Sequence, residues 1–150
     1  MARLRGFRMD DYEEVRGVWD KSGLKASRGD GREEVRKKLR RDRELFLVAE
    51  EGGRIVGTVL GAWDGRRGWI YHLGVLPEYQ RRGIARELVT EVEKRMRRKG
   101  VSKVNAVVFS WNGASLAFFD EMGYGHHEAL TLHGKVLRED SLGRFAKASK

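Results

Sequence analysis

The sequence contains no cysteine, and this absence excludes several kinds of chemistry at once. Disulfide bonds, iron–sulfur clusters, cysteine-ligated zinc and a cysteine nucleophile all require that residue. The four histidines include no spaced pair of the kind that binds metals, and His126 and His127 are adjacent. Neighbouring side chains of a helix or strand point in different directions, so we expect no metal site.

Long apolar runs and linkers are also missing. The N-terminus lacks the apolar core of a signal peptide, and no apolar run is long enough to span a membrane. Pro77 is the only proline, and no Ser/Gly-rich linker interrupts the chain. We therefore expect a cytoplasmic protein, a monomer or a homodimer, with residues 1–150 forming one domain and residues 139–150 a loose tail.

Side-chain amides are scarce, whereas charged residues are abundant. The only amides are Asn105, Asn112 and Gln80, while 35% of the residues are charged. This balance is typical of proteins from hot habitats and predicts a thermophilic source. The chain carries 31 basic and 22 acidic residues, which leaves a net charge of +9. The surplus is compatible with nucleic acid, an acidic substrate, a phosphorylated cofactor or a surface of ion pairs.

Hydrophobic periodicity predicts a mixed α/β fold. We expect strands at 4–8, 45–50, 55–62, 69–76, 101–109, 126–130 and 132–137. We expect helices at 10–22, 32–42, 83–99 and 112–122. The helix at 83–99 is long enough to be a right-handed crossover between two parallel strands.

The turn between the strand at 69–76 and this helix has the features of an anion site. The first turn of a helix has unpaired backbone N–H groups and the positive end of the helix dipole. Gly83 permits a ligand to approach the backbone, and Arg81, Arg82 and Arg86 add positive charge. The segment lacks the spacing of dinucleotide folds and P-loops, so it predicts a different kind of phosphate or pyrophosphate site.

Two segments resemble motifs of the Gcn5-related N-acetyltransferases, the GNAT superfamily. The stretch at 80–85 resembles its Gln/Arg-x-x-Gly-x-Gly/Ala motif, and 112–124 resembles its Asn-x-x-Ala segment. The stretches at 71–75 and 123–126 are most similar to the YpeA branch and next to the RimI type. The resemblance implies the GNAT fold, a mixed, mostly antiparallel sheet with a central parallel pair splayed for acetyl-CoA and helices on both faces.

The resemblance also implies an activity and a cofactor site. Acetyl-CoA would be the donor, and a primary amine of a protein N-terminus, a lysine or a small molecule would attack it directly. The implied cofactor-binding residues are Leu73, Gly74, Val75, Gln80, Arg81, Arg82, Gly83, Ile84, Ala85, Arg86 and Asn112. One alternative is an acyl-CoA-binding module with little or no catalysis. A nucleic-acid binder ranks last, because no recognition motif accompanies the positive charge, and we expect no specific nucleic-acid partner.

The catalytic groups depart from the family pattern. Many members have a tyrosine that protonates the departing thiolate, and Phe119 stands at that position. The glutamate of the RimI type has no counterpart in 106–109. Tyr71 and His72 remain as candidates for the general base, and the sequence does not choose between them. Because neighbouring side chains of a strand face opposite ways, we expect at most one of the two to face the acetyl group.

Overall fold

Five strands form one mixed sheet in the computed structural model, which describes residues 1–142. The strands are β1 (Arg3–Gly6), β2 (Phe46–Glu51), β3 (Arg54–Trp63), β4 (Gly68–Val75) and β5 (Val104–Ala106). The longer helices are α1 (Tyr12–Lys21), α2 (Arg32–Asp42), α3 (Ile84–Arg98) and α4 (Gly113–Glu121). This arrangement confirms the predicted α/β class.

The sheet is antiparallel from β1 to β4, and β5 pairs with β4 in parallel. The predicted hairpin is confirmed: β2 and β3 are joined by Gly52 and Gly53, whose φ angles of 59° and 76° suit glycine. The helix α3 connects the two parallel strands, as expected for a crossover. In the described part of the chain the parallel pair lies at the edge of the sheet, not at its centre.

The helices α1 and α3 pack on opposite faces of this sheet. A Cβ atom at Gly61 of β3 would lie 3.1 Å from Val92 of α3, so that side of β3 faces α3. A Cβ atom at Gly74 of β4 would lie 2.6 Å from the hydroxyl of Ser22, which follows α1, so that side faces α1. An added Cβ atom at either position would require its neighbours to shift, which favours glycine at both.

The helix α3 forms because its apolar residues recur on one face. Those that are completely buried against the sheet are Leu88, Val89, Val92 and Met96. Each such burial stabilises the fold by roughly 1.5–3 kcal/mol. The opposite face is polar, and Gly100 follows the helix with a φ of 84°. Packing in the core therefore fixes the position of the helix start, and with it the position of the preceding turn.

The strands predicted at 126–130 and 132–137 are wrong, because residues 125–137 form no strand in the structure. Their apolar residues stay exposed, with Leu132 at 87% and Leu137 at 86%, since no neighbouring strand pairs with them. The strand predicted at 101–109 is shorter than expected, because pairing with β4 covers only Val104–Ala106. An apolar pattern alone does not supply the partner that a strand needs.

Part of the expected tail contacts the loop between α1 and α2. The backbone N–H of Gly29 donates to the Asp140 carboxylate at 2.8 Å. The backbone N–H of Ser141 donates to the Glu34 carboxylate at 3.2 Å. Residues 139–142 are therefore attached to the domain, whereas the rest of the expected tail, 143–150, lies outside the described residues.

Candidate functional site

The strand β4 contains a bulge where it passes α1. Thr58 of β3 pairs with Gly74, but Leu60 pairs with Tyr71, so β4 has one residue more than β3 over this stretch. His72 lies in the bulge with a φ of 47°, which non-glycine residues adopt only rarely. A bulge of this kind bends the strand and redirects its side chains.

Beyond the bulge, β4 separates from its parallel neighbour. The last hydrogen bond between them runs, within residues 1–142, from the N–H of Val107 to the carbonyl of Ile70 at 3.1 Å. On the other side, the N–H of Leu76 donates to Val56 of β3 at 2.8 Å. Since backbone groups alternate along a strand, those of Leu73 and Val75 point away from β3, toward the opening. An extended ligand could pair with this free edge.

The three predicted residues of this strand therefore differ in their placement. Leu73 and Val75 present backbone groups at the free edge, and their expected binding role stays a prediction. Gly74 pairs with Thr58 of β3 and packs closely on Ser22. Its backbone groups face β3, so its contribution is to let α1 approach the strand.

After β4, a short 3-10 helix (Pro77–Tyr79) and the turn from Gln80 to Gly83 lead from this edge into α3. Arg81 has a φ of 64° and Gly83 a φ of 84°, which turn the backbone sharply before the helix. No side chain caps the helix, and its first internal bond runs from the N–H of Glu87 to the carbonyl of Gly83 at 3.0 Å. The N–H groups of the first turn (Ile84, Ala85 and Arg86) therefore have no helical partner, as a phosphate site requires.

The polar side chains of the turn have different environments. The Gln80 amide donates to the carbonyl of Val75 at 3.0 Å and ties the turn to the free edge. The Arg82 guanidinium lies 4.9 Å from the Tyr79 ring centre and 3.7 Å from the Glu51 carboxylate. All three arginines are exposed, but Arg81 and Arg86 form no ion pair with the described residues 1–142. The three arginines, which the sequence presented as equivalent, are thus of two kinds.

Asn112 begins α4 as predicted for a helix cap. Its side-chain oxygen accepts a hydrogen bond from the N–H of Ser115 at 3.1 Å. This bond occupies one acceptor site of the amide and fixes the side chain at the end of the helix. The expected contact with a cofactor remains a prediction.

Phe119 of α4 is a core residue. Its side chain is buried and packs edge-on against Phe118 at 5.1 Å and Tyr124 at 5.0 Å. The Tyr124 hydroxyl donates to the Glu93 carboxylate at 2.6 Å. Burial and this carboxylate raise the pKa of Tyr124 well above its ordinary value. Phe119 therefore supplies no proton, and its tyrosine neighbour is already engaged with Glu93.

The bulge corrects the expectation that Tyr71 and His72 face opposite ways. Tyr71 pairs with Leu60, and because the adjacent Gly61 faces α3, Leu60 and Tyr71 lie on the α1 face. The His72 ring also lies there, 4.7 Å from the Trp19 ring of α1. Strict alternation fails because the extra residue in β4 interrupts it.

These two side chains differ in their charge environment. Burial and the nearby Asp64 carboxylate raise the pKa of the Tyr71 phenol, so it stays neutral across the physiological range. The His72 Nε2 atom lies 2.9 Å from the carboxylate of Asp30. Asp30 lies in the loop between α1 and α2, and its sequence gives no indication of this contact.

Comparisons with known proteins agree with this geometry. The sequence model of the Acetyltransferase (GNAT) family matches residues 7–124. The curated protein Acetyltransferase SG1711 of Sodalis glossinidius (strain morsitans) is 39% identical over 137 residues, which are 91% of this chain and 96% of that protein.

Solved structures share the fold at lower identity. The PaiA N-acetyltransferase of Thermoplasma acidophilum, in complex with coenzyme A, superposes with a TM-score of 0.73 at 20% identity, covering 81% of this chain and 88% of that one. Ard1 of Thermoplasma volcanium gives a TM-score of 0.72 at 20% identity, covering 81% of each chain. No helix within residues 1–142 is long and apolar enough to cross a membrane.

Proposed function

This chain belongs to the acetyltransferase (GNAT) family, whose members use acetyl-CoA, and we propose that it transfers the acetyl group to a primary amine. The acceptor classes are a protein N-terminus, a lysine side chain and a small amine. The observation that carries the proposal is the continuity of the site. The free edge of β4, the Gln80–Gly83 turn and the uncapped start of α3 follow one another along the chain.

Different residues of this site suit two parts of the coenzyme, its pyrophosphate and its amide-containing arm. The N–H groups at the start of α3 and the exposed Arg81 and Arg86 would hold its pyrophosphate. The backbone groups of Leu73 and Val75 would pair with its amide-containing arm. When bound, acetyl-CoA supplies a thioester as the acyl donor. The Val75 N–H at the free edge is a fixed donor for negative charge that develops on the thioester oxygen.

The chemistry of the acceptor determines which further groups are needed. A lysine amine has a pKa of about 10.4 and an α-amine about 8, so each is partly or mostly protonated near neutral pH. A base that removes this proton therefore assists attack, above all for lysine. A thiolate whose conjugate thiol has a pKa near 8.5 can leave without an acid. The absence of a hydroxyl at Phe119 is consequently compatible with transfer.

We expect the protein to release free thiol from acetyl-CoA in the presence of a suitable amine. The experiment uses peptides with a free α-amine, peptides whose only amine is a lysine, and small diamines. Thiol release is followed optically, and the acetylated product is identified by mass spectrometry. N-terminally blocked peptides without lysine serve as the control and should give only the background rate.

The second candidate, a binding module without catalysis, is favoured by the buried, hydroxyl-free side chain of Phe119. It predicts that coenzyme A raises the melting temperature while no amine on the panel accelerates thiol release. That combination would overturn the enzymatic proposal and leave the proposed coenzyme site intact.

A further inference from the structure

Asp30 and His72 form a pair where β4 begins to separate from β5. Both carboxylate oxygens of Asp30 lie within 3.0 Å of His72 Nε2, and the residue is only 4% exposed. The N–H of Ser27 donates to the same carboxylate at 2.8 Å and fixes its orientation. Among residues 1–142, His72 is the only ion-pair partner of Asp30. The pair connects the α1–α2 loop to the bulge of β4.

The carboxylate of Asp30 determines which ring nitrogen of His72 carries hydrogen. An ionised carboxylate only accepts hydrogen bonds, so Nε2 must be the donor. The neutral ring then has its lone pair on Nδ1. Nδ1 has no hydrogen-bond partner in the described part of the chain. A histidine held in this way has a basic nitrogen available to a ligand.

The His72 ring lies beside the opening between β4 and β5. His72 follows Ile70, the last residue of β4 bonded to the β5 segment, by two positions, and directly precedes Leu73 of the free edge. Trp19 covers one side of the ring at 4.7 Å, and Asp30 occupies Nε2. The His72 side chain is nevertheless 19% exposed, so these two contacts leave part of the ring accessible.

We propose that His72 is the general base of acetyl transfer and that Asp30 is the positioning residue that orients it. This inference rests on the proposed function. The amine nitrogen forms a bond to the thioester carbonyl carbon, and the carbon–sulfur bond breaks with its electron pair remaining on sulfur. The amine proton passes to Nδ1 of His72 and then to the coenzyme thiolate or to water. The products are an amide and the free thiol.

The surroundings of His72 support this assignment over Tyr71. Asp30, from the α1–α2 loop, is the charged group against the ring, and the facing residue of α1 is the uncharged Trp19. Tyr71, adjacent on β4, stays a neutral phenol because burial and Asp64 raise its pKa. A neutral phenol can donate a proton but cannot remove one from an amine.

The decisive variant is His72→Asn. Asparagine tolerates the positive φ of 47° at this position, but its amide is shorter than the imidazole and does not reach the position of Nε2. The variant therefore retains the backbone conformation and has no basic nitrogen, while the separate Asp30→Asn variant measures the effect of losing the contact with Asp30. We expect kcat near neutral pH to fall by ~10²–10⁴-fold, while the KM for acetyl-CoA stays within about three-fold. His127→Asn, at an exposed position, is the matched control and should leave both constants unchanged.

A pH series separates a base from a purely structural residue. Without the base, the rate depends on the fraction of acceptor that is already unprotonated. The ratio of wild-type to His72→Asn rates should then be largest near neutral pH and shrink toward the pKa of the acceptor amine. A ratio that stays constant with pH would show that the substitution only disturbs the structure. Asp30→Asn should lower kcat by roughly 10–100-fold, the range typical of groups that orient a functional histidine.

Two results would overturn the inference without touching the proposed function. One is an active wild-type enzyme whose His72→Asn variant is equally active. The other comes from NMR of the histidine ring nitrogens, which needs no acceptor: a neutral His72 with hydrogen on Nδ1 contradicts the pair. Hydrogen on Nε2, together with the loss of activity, supports it. If the wild-type enzyme transfers acetyl to no amine, the proposed function fails and the base assignment fails with it.

Discussion

The Gly83→Val variant should lose the stabilisation that coenzyme A gives to the wild-type protein. A ligand at 100 times its Kd adds about 2.7 kcal/mol to the free energy of unfolding. Gly83 has a φ of 84°, in the left-handed region that a β-branched residue strongly disfavours. The turn would rearrange, and the N–H groups at the start of α3 would no longer converge on the pyrophosphate. Thermal unfolding with and without coenzyme A measures the effect.

Gly100 offers a closely matched control for this variant. It also has a φ of 84°, nothing lies within 4 Å of a Cβ atom at either glycine, and it lies at the other end of α3. Gly100→Val should therefore impose a similar backbone strain of about 1–2 kcal/mol and still respond fully to coenzyme A. If Gly83→Val keeps the response, or if both variants lose it, the pyrophosphate does not bind at this turn.

Trp19→Ala should cause a large loss of stability, about 3–5 kcal/mol. The Trp19 side chain is 1% exposed and packs beside Phe46 and His72, at ring distances of 6.5 and 4.7 Å. Its removal leaves a cavity between α1 and the sheet. The free energy of unfolding of a small domain is only about 5–15 kcal/mol, so this loss is a large fraction of the total stability. Equilibrium unfolding in denaturant measures this difference between variant and wild type. The comparison requires that the free energy of unfolding falls with denaturant concentration at the same slope in both proteins.

Trp111→Ala is the control, because it removes a tryptophan side chain from an exposed position. Trp111 is 69% exposed and stacks on Phe109 at 5.2 Å. Its substitution should change the free energy of unfolding by no more than about 0.5 kcal/mol. Losses of similar size at the two positions would show that Trp19 does not anchor α1 on the sheet.

The sequence predicts the elements that bury one regular face. The helix expected at 83–99 is found at Ile84–Arg98, and the helix expected at 32–42 is found at Arg32–Asp42. The β2–β3 hairpin also matches, because two apolar strands flank a turn that contains two glycines. The uncapped start of α3 was predictable as a candidate anion site, because that expectation follows from the general properties of a helix start.

The sequence does not predict features that depend on contacts between distant segments. The bulge at His72 arises where β4 passes α1, and a single histidine in a strand pattern does not by itself locate a left-handed position. Asp30 lies 42 positions before His72, in a loop without a regular pattern. The strands expected at 126–137 failed for the same reason, since their pattern could not show that a partner strand is missing.

The unusual residue at the acid position has a structural explanation. Phe119 packs edge-on between two aromatic rings, and the Tyr124 hydroxyl donates a hydrogen bond to Glu93. The proposed proton transfer therefore uses the α1 face of β4, where Asp30 and His72 lie. In this arrangement the proposed base has its own residue, and the departing thiolate has no acid beside it. Transfer does not require such an acid, because a thiolate leaves readily.

The central claim is that coenzyme A binds along the free edge of β4 and the start of α3, and backbone NMR during a coenzyme A titration tests it most directly. The largest amide shifts should fall on Leu73, on Val75 and on the turn and first helical residues from Arg81 to Arg86. Amides at the other end of α3, around Gly100, should move little. Large shifts confined to residues outside the β4 edge and this turn would contradict the account.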